Sequence, residues 1–183
     1  MHFALLLSIV SDIKIMILVL LFLSIFVISS APNATAESFF TSDAYLEGKL
    51  AFDAGNYKSA VKIWIKSAEK GYPEAQGFIG GMYHAGLGVE KNYMKAMEWY
   101  MKAAAKGVAQ AQLGIGNLYG DGLGVEKNYL KAYMWFAISA EAGNERAEYN
   151  LKKVAARMRD ADVKKAKKMA LDWIQANYKR QIK

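Results

Sequence analysis

Apolar residues recur along this chain at helical spacing, in stretches that short glycine-containing turns separate. In one stretch, Ala60, Val61, Trp64 and Ala68 fall on one side of a helix with 3.6 residues per turn. This pattern predicts a helix over 58–70. Similar stretches before and after it predict a chain built from successive helices.

The residues between the stretches predict where the helices begin and end. Thr-Ser-Asp at 41–43 can cap a first helix, which we expect to run to about Ala54. Gly71 stands where a left-handed C-cap is needed. Pro73 suits the first turn of the next helix, where its missing N–H costs nothing.

The chain also repeats itself. The eight residues Gly-Leu-Gly-Val-Glu-Lys-Asn-Tyr at 86–93 recur letter for letter at 122–129, an offset of 36 residues. Other residues follow the same period: Ala75 with Ala111, Tyr83 with Tyr119, Ala96 with Ala132, and Gly71 with Gly107 and Gly143. Each unit therefore reads as helix A, a glycine-rich loop and helix B. Two such helices cannot bury their own apolar faces, so stacking of units into a solenoid is predicted.

The repeated motif resembles a known family. Ala-x-x-x-Ile-Gly-x-x-Tyr is followed by Gly-x-Gly-Val-Glu-Lys-Asn-Tyr, then by Lys-Ala-x-x-Trp and a closing glycine. This motif resembles the Sel-1-like repeat (SLR), a relative of the tetratricopeptide repeat (TPR). The likeness is full over 75–146. Over 43–74 the loop shortens to a TPR-like turn, and over 147–178 Lys152 stands at the small helix A position and the loop is missing.

The resemblance implies an all-α, right-handed α-solenoid of about 3.5 repeats, closed by a C-terminal capping helix. We divide the chain into a signal peptide (1–36), a first TPR-like repeat (37–74), two Sel-1-like repeats (75–110 and 111–146), and a partial repeat with a basic capping helix (147–183).

Small and aromatic residues in phase predict how the units pack. Gly inside a helix costs up to ~1 kcal/mol against Ala, so a repeated one indicates close approach of a neighbouring helix. The predicted structural residues are Gly80, Gly86, Gly88, Gly116, Gly122, Gly124, Trp99 and Trp135. Of these, Gly80 and Gly116 lie inside helices, the other glycines lie in loops with positive φ, and the tryptophans fill the space left between helices. Gly77 and Gly81 have no equivalent packing reason.

The last unit departs from the pattern. Its helix A is expected to continue to about Arg159, and Asp160 or Asp162 can cap a final helix. One apolar stripe on that helix includes Ala166, Ala170 and Trp173. Its remaining lysine-rich surface suits the polar outer face that a solenoid end requires.

Charge is unevenly distributed. The net charge of the chain is +7, yet residues 146–183 carry twelve Lys and Arg against four Asp and Glu. A basic patch of this kind can meet an acidic protein, anionic lipid or another polyanion, or can simply be a solvated helix face. The absence of cysteine excludes disulfides, thiolate chemistry and a lipoprotein anchor.

The N-terminus predicts export. Residues 15–28 form an apolar run of 14 residues interrupted by Ser24, and Ala34-Thr35-Ala36 fits a signal-peptidase site. We expect cleavage after Ala36 and a periplasmic or secreted bacterial protein. The alternative is an uncleaved N-terminal membrane anchor that leaves the repeats outside.

The chain lacks the motifs of common catalytic chemistry. Neither glycine-rich loop has the spacing of a dinucleotide or phosphate loop, and no Gly-x-Ser-x-Gly elbow occurs. His84 is the one histidine after the predicted cleavage site, too few for a multi-histidine metal site. We therefore predict no cofactor, no metal site and no enzymatic activity.

Recognition remains as the predicted function. In TPR-like stacks the A helices line the concave face, which implies a groove here. Aligning the A helices gives its candidate residues: Tyr45, Lys49, His84, Asn117, Asp121, Tyr149, Lys153 and Arg157.

We expect this groove of a monomeric adaptor to hold a protein or peptide, acidic where the groove is basic, and no nucleic acid. Two alternatives stay open. One is an envelope protein that binds or hydrolyses cell-wall glycan or peptide. The other is docking of the basic C-terminal helices on an anionic membrane.

Overall fold

A computed structural model describes residues 34–181, with side chains described for 44–177. The chain divides into two compact units, Met1–Phe40 and Thr41–Lys183. Of the first unit only residues 34–40 are described, and they are helical. The apolar run at 15–28, and the signal peptide up to Asn33, lie outside the described residues.

The described residues form eight helices joined by turns and loops, and they contain no strand. The helices are α1 (Ala34–Asp53), α2 (Tyr57–Glu69), α3 (Pro73–Ala85), α4 (Tyr93–Ala104), α5 (Ala109–Asp121), α6 (Tyr129–Glu141), α7 (Glu145–Ala155) and α8 (Asp160–Gln181).

The second unit is an all-α solenoid, as predicted. Helices α3 and α4 pack as one hairpin and α5 and α6 as the next, while α4 against α5 and α6 against α7 join consecutive hairpins. The A helices also meet directly, since α3 contacts α5 and α5 contacts α7. At the C-terminal end α8 packs on α6, the position expected for a capping helix.

The predicted start of α3 is confirmed. Pro73 is the first residue of α3. Asp160 and Asp162, predicted as possible caps of α8, lie in its first turn, and the capping position is Arg159. The repeated loop also contains an N-cap that the sequence analysis did not single out. The Asn92 side chain accepts a hydrogen bond from the Lys95 backbone N–H at 3.0 Å, as Asn128 does from Lys131 at 2.9 Å. The last Asn of each loop therefore starts helix B.

Two predicted helix boundaries were wrong. Helix α1 begins at Ala34, upstream of the polar residues 41–43, because no proline or glycine interrupts 34–43. Helix α7 ends at Ala155, not near Arg159. Beyond Ala155 the chain tightens into a turn, which the Arg159–Asp162 ion pair (2.7 Å) supports at the start of α8.

The predicted close approach at the interior glycines is confirmed, but by different aromatic residues. A Cβ on Gly80 would lie 2.5 Å from the Tyr100 ring, and one on Gly114 would lie 2.6 Å from the same ring. Tyr100 therefore fills the space between α3 and α5, and burial raises its pKa to about 12.

One half of this arrangement, a ring packed on a helix glycine, recurs one unit away on either side. The ring of Phe136 occupies the space above Gly116, and that of Trp64 the space above Gly48. Trp99 is partly buried and packs against the hydrophobic cluster that contains Trp64 and Ile79, not over an interior glycine. Trp135 is buried, at 4 % exposure, but it packs on Trp173 of α8 with ring centroids 5.1 Å apart.

The glycines with no predicted packing role differ from Gly80. A Cβ on Gly77 would meet its nearest neighbour, a methyl group of Val108, at 3.5 Å, and one on Gly81 would meet the Tyr100 hydroxyl at 3.7 Å. Both are ordinary contact distances. These two positions leave room for a side chain, so tight packing does not require glycine there.

Each glycine-rich loop packs against the preceding unit. Gly88 and Gly124 adopt the positive φ that was predicted, +70° and +69°. A Cβ on Gly88 would also lie 2.5 Å from the Tyr57 backbone at the start of α2, and one on Gly124 would lie 2.6 Å from the Tyr93 Cβ at the start of α4. The loop glycines thus serve both the turn and the contact between units.

Buried glutamine side chains form hydrogen bonds between the units. The Gln76 side chain donates to the Ala68 carbonyl at 3.0 Å, and Gln112, one period later, donates to the Ala104 carbonyl at 3.3 Å. Each bond satisfies a carbonyl in the last turn of a B helix from the next A helix. Neither glutamine Oε1 accepts a hydrogen bond from the described residues.

A comparison of Gly124→Ala with Gly143→Ala tests whether the loop glycine serves both the turn and the contact between units. Gly143 also has a positive φ, +85°, but its Cβ would meet nothing within 4 Å. We expect Gly143→Ala to lower the free energy of unfolding by about 1 kcal/mol through backbone strain alone. Gly124→Ala should cost roughly 2 kcal/mol more, because strain and the clash with α4 add. Denaturant unfolding measures both, and equal losses would contradict the contact between units.

Candidate functional site

The A helices form one continuous surface, which we call the inner face. Helices α3, α5 and α7 contact one another in turn. Helix α1 extends the row, since the Tyr45 ring lies 5.7 Å from that of Phe78 on α3. The B helices α2, α4 and α6 have no comparable direct contacts within the described residues. The solenoid is therefore tighter on the side of the A helices, where extended ligands bind in such stacks.

A cleft of about 550 Å³ opens on the inner face between α5 and α7, which we call the polar cleft. Its lining residues are Gln110, Leu113, Asn117, Glu145, Arg146, Tyr149 and Asn150. Two residues predicted from the sequence, Asn117 and Tyr149, lie in it together.

Amide side chains join the two walls of the polar cleft. Asn150 Nδ2 donates to Asn117 Oδ1 at 3.1 Å. At the other end Asn144 Nδ2 donates to Gln110 Oε1 at 3.4 Å. These bonds hold α5 and α7 in register and orient the cleft's polar lining.

Two side chains in the polar cleft are left available for a ligand. Tyr149 is 68 % exposed, and Arg146 is exposed and pairs with no carboxylate of the described residues. A guanidinium can hold a carboxylate through two hydrogen bonds, and a tyrosine adds an aromatic face beside it. The cleft therefore suits an acidic group attached to an apolar chain.

The inner face is aromatic at its N-terminal end. Phe78 on α3 stacks on the Trp64 ring, with centroids 4.5 Å apart and planes at 15°. Tyr45 completes the cluster from α1, and both Tyr45 and Phe78 keep more than a third of their surface exposed. This end offers apolar contacts and complements the polar cleft.

Lys49 is less free than the sequence suggested. Its ammonium pairs with Asp53, four residues on, at 2.7 Å. The hydrogen bond to that carboxylate, and then its charge, raise the pKa of Lys49. Both partners are exposed, so the pair contributes little to stability. It does offset the charge that Lys49 would offer to an acidic ligand.

His84 is half buried between two aromatic rings. Its ring stands edge-on to Tyr93 at 5.5 Å and to Tyr100 at 6.2 Å. Burial lowers the pKa of His84, the nearby charge of Lys91 lowers it further, and Asp121 opposes this effect. His84 is therefore neutral at pH 7 and acts as a packing residue with a polar edge. Asp121, at the end of α5, is exposed.

The two basic residues predicted for the C-terminal end of the groove, Lys153 and Arg157, lie beside different helices. Lys153 lies on α7 and is exposed. Arg157 follows the end of α7, and its guanidinium carbon lies 6.0 Å from the Tyr129 ring, at the start of α6. Arg157 is thus placed beside a B helix and does not continue the row of A-helix side chains.

Sequence reasoning missed Arg146, Asn150 and Phe78. One signal could have found them. Phe78, Gly114 and Asn150 share one position of the repeat, and Glu74, Gln110 and Arg146 share another. At both positions the side chain changes in every unit. Positions whose side chain differs between otherwise repeated units can carry chemistry that is specific to one unit.

The described residues show no sign of a metal centre or a membrane span. No three His, Cys, Asp or Glu side chains among them come together as metal ligands do. None of the helices described for this chain is both long and apolar enough to cross a membrane.

Comparison with known families identifies the repeat. The Sel1 repeat matches residues 39–72, 73–108 and 108–144. The chain belongs to the Sel1 repeat family. Sel1 repeats generally serve as protein–protein interaction scaffolds and are typically non-catalytic. No curated protein sequence matches the chain.

Two crystal structures share the Sel1 fold of this chain. One is c5321, a protective antigen present in uropathogenic Escherichia coli strains and displaying an SLR fold, with 31 % identity and a TM-score of 0.69. That match covers 74 % of this chain and 30 % of c5321. The other is a Sel1 repeat protein from Oxalobacter formigenes, with 33 % identity, a TM-score of 0.56 and coverage of 67 % and 51 %. This chain thus spans 30 % of c5321 and 51 % of the Oxalobacter protein.

The environment of His84 predicts a pH dependence of stability. Its folded pKa is below the ordinary value near 6.5, so the unfolded chain binds the proton more readily. Stability from the neutral ring is fully present above about 6.5 and is lost as pH falls through the folded pKa. We expect the advantage of wild type over His84→Gln in melting temperature to shrink between about pH 7.5 and 5. A constant difference would contradict the assigned burial.

Proposed function

We propose that this Sel1 repeat protein is an exported adaptor that binds an extended segment of a partner protein along its inner face. The polar cleft between α5 and α7 is the main support for the proposal. Arg146 and Tyr149 are both exposed there, and a hydrogen bond between side-chain amides joins the two walls of the cleft. The hydrogen bonds between the amide side chains fix part of the lining before a ligand binds, so that mainly Arg146 and Tyr149 have to be ordered on binding.

The chemistry of the inner face describes the partner segment. Arg146, with Lys153 farther along α7, favours a carboxylate at the C-terminal end. Glu145 at the cleft restricts how many acidic groups can enter. Tyr45 and Phe78 favour an aromatic or aliphatic side chain at the other end. The expected ligand is an extended peptide with an apolar residue near one end and an acidic residue near the other.

The proposal of export rests on the apolar run at 15–28 and on Ala34-Thr35-Ala36. The description of c5321 as a protective antigen is consistent with an exported role for this chain as well. Cleavage after Ala36 would fall in the first turn of α1. It would leave the rest of that helix, including Tyr45 and Lys49, in the mature protein.

Site-specific photocrosslinking tests the inner face. A benzophenone amino acid replaces Tyr149 in one variant and Met101 in another; Met101 is an exposed residue of helix B α4. In the cells that make the protein, we expect one discrete crosslinked partner from position 149 and none from position 101. Adding Arg146→Glu should remove most of that product, because it reverses the charge offered to the carboxylate.

A charge reversal elsewhere controls this experiment. Lys62→Glu alters an exposed lysine of helix B α2 and should leave the crosslink unchanged. Equal crosslinking from positions 149 and 101 would place the partner elsewhere. A product from position 149 that Arg146→Glu does not reduce would show that the polar cleft is not the binding determinant.

Export is tested by the mass of the protein isolated from its source cells. A signal peptide predicts a mature chain that begins at Glu37 in the soluble envelope or culture fraction. Ala36→Lys should block processing, because the cleavage site requires a small residue, and Thr35→Ser is the matched control. Recovery of the full-length mass in the membrane fraction would instead indicate an uncleaved anchor.

A further inference from the structure

Three equivalent glycines close the B helices. Gly71, Gly107 and Gly143 follow α2, α4 and α6 with φ of +97°, +88° and +85°. Each lies at the junction between one unit and the next. Every B helix begins at the turn or loop that follows its A helix and ends at its closing glycine. These junctions therefore lie at the opposite end of the units from the loops.

In the first junction a lysine ammonium occupies the helix C-terminus. Lys106 Nζ donates to the Gly71 carbonyl at 2.6 Å, although the two residues are 35 positions apart. Carbonyls at the end of a helix carry partial negative charge and favour a cation. The fold thus contains one lysine site at a junction, filled by its own next unit.

In the second junction the chain supplies no such lysine. The residue equivalent to Lys106 is Ala142, which is exposed and has no ammonium. No donor among the described residues reaches the Gly107 carbonyl. A Cβ built on Gly107 would meet nothing within 4 Å, whereas one on Gly71 would meet Lys106 Nζ at 3.4 Å.

A cleft of about 260 Å³ lies at this second junction, and we call it the junction cleft. It is lined by Ala105, Gly107, Gln112, Ile138, Glu141, Ala142, Trp173, Ile174 and Asn177. It is smaller than the 300–1,000 Å³ typical of pockets for drug-sized ligands, which limits its occupant to roughly one side chain.

The polar groups of the junction cleft accept hydrogen bonds. The Gln112 Nε2 is bonded to the Ala104 carbonyl, and its Oε1 is buried away from the surface, as is that of Gln76 at the first junction. The Asn177 Nδ2 is likewise engaged, with the Trp173 carbonyl. Glu141 contributes a carboxylate at the end of α6. The Glu141 carboxylate and the Gly107 carbonyl are acceptors that a cation with hydrogen-bond donors would satisfy.

The apolar part of the lining suits an alkyl chain. Ile138 and Ile174 can contact methylene groups, and the Trp173 ring offers an aromatic surface to the positive head. A lysine side chain has this combination, a four-carbon stem with a compact ammonium that donates three hydrogen bonds.

We propose that the junction cleft binds a lysine side chain of a partner protein, in the place that the chain's own Lys106 takes one junction earlier. The ammonium is received by acceptors at the ends of α4 and α6, and the stem lies against Ile138 and Ile174. This site lies at the opposite end of the units from the loops, and it does not depend on the ligand proposed for the inner face.

The test uses Nα-acetyl-lysine N-methylamide as the probe, with the norleucine analogue as the uncharged control. Binding is followed by the NMR signal of the Trp173 indole N–H in the repeat protein. We expect a saturable shift with a Kd on the order of 1–10 mM, because one side chain makes few contacts. The norleucine analogue should cause no saturable shift at the same concentrations.

Substitutions of exposed residues at the cleft make the test specific. Ala142→Lys restores the residue type of the first junction, so it should raise the melting temperature and abolish probe binding. Ala142→Ser, a small neutral change, should leave both unchanged. Glu141→Gln should weaken probe binding at least about threefold through the loss of one charge.

The proposal is overturned by any of three results. One is no saturable Trp173 shift with the lysine probe in the wild-type protein. Another is equal binding of the norleucine analogue, which would make the cleft merely apolar. The third is Ala142→Lys protein that is folded, with an unaltered melting temperature, and that still binds the probe as the wild type does.

Discussion

The structure depends on aromatic rings that pack directly against helix backbone. Tyr100 lies between Gly80 of one A helix and Gly114 of the next, where any Cβ would occupy the space of the ring. Because the ring packs directly on both glycines, α3 and α5 approach closely enough to contact each other. In the neighbouring units Phe136 and Trp64 each pack on one such glycine, Gly116 and Gly48. The inner face follows from it, because side chains of separate A helices become one surface only when the helices lie side by side.

Contacts and hydrogen bonds to the backbone of the preceding unit reinforce this packing in a chain without cysteine. Gly88 and Gly124 bring their loops against the first turn of the preceding B helix, and Gln76 and Gln112 donate to carbonyls in its last turn. Each unit is therefore held to its neighbour at both ends and at the centre. Every tie joins adjacent units only, so stability accumulates from nearest-neighbour contacts, as expected for a solenoid.

The functional chemistry lies at positions where the units differ. The packing position of helix B is aromatic in each unit, as Trp64, Tyr100 and Phe136. Elsewhere the units differ more in chemistry: Phe78 is replaced by Asn150 two units on, and Lys106 is replaced by Ala142 at the next junction. The first change turns an aromatic surface into a polar cleft. The second removes an internal lysine contact and leaves the Gly107 carbonyl and Glu141 at the cleft for which we propose a lysine ligand.

The period, the helix pairs and the glycine loops could be derived from the sequence alone, because helical spacing, turn residues and an offset repeat are properties of neighbouring positions. The aromatic residue that packs on the interior glycines could not be derived in this way. Tyr100 and Trp99 are adjacent on helix B and point roughly 100° apart, so only the rotation of the packed helix decides which one faces the glycines. Likewise, Asn117 and Asn150 meet, and Lys106 reaches Gly71, because of the offset between successive helices. Such distances between units arise from the packing of whole helices, and only the tertiary structure determines them.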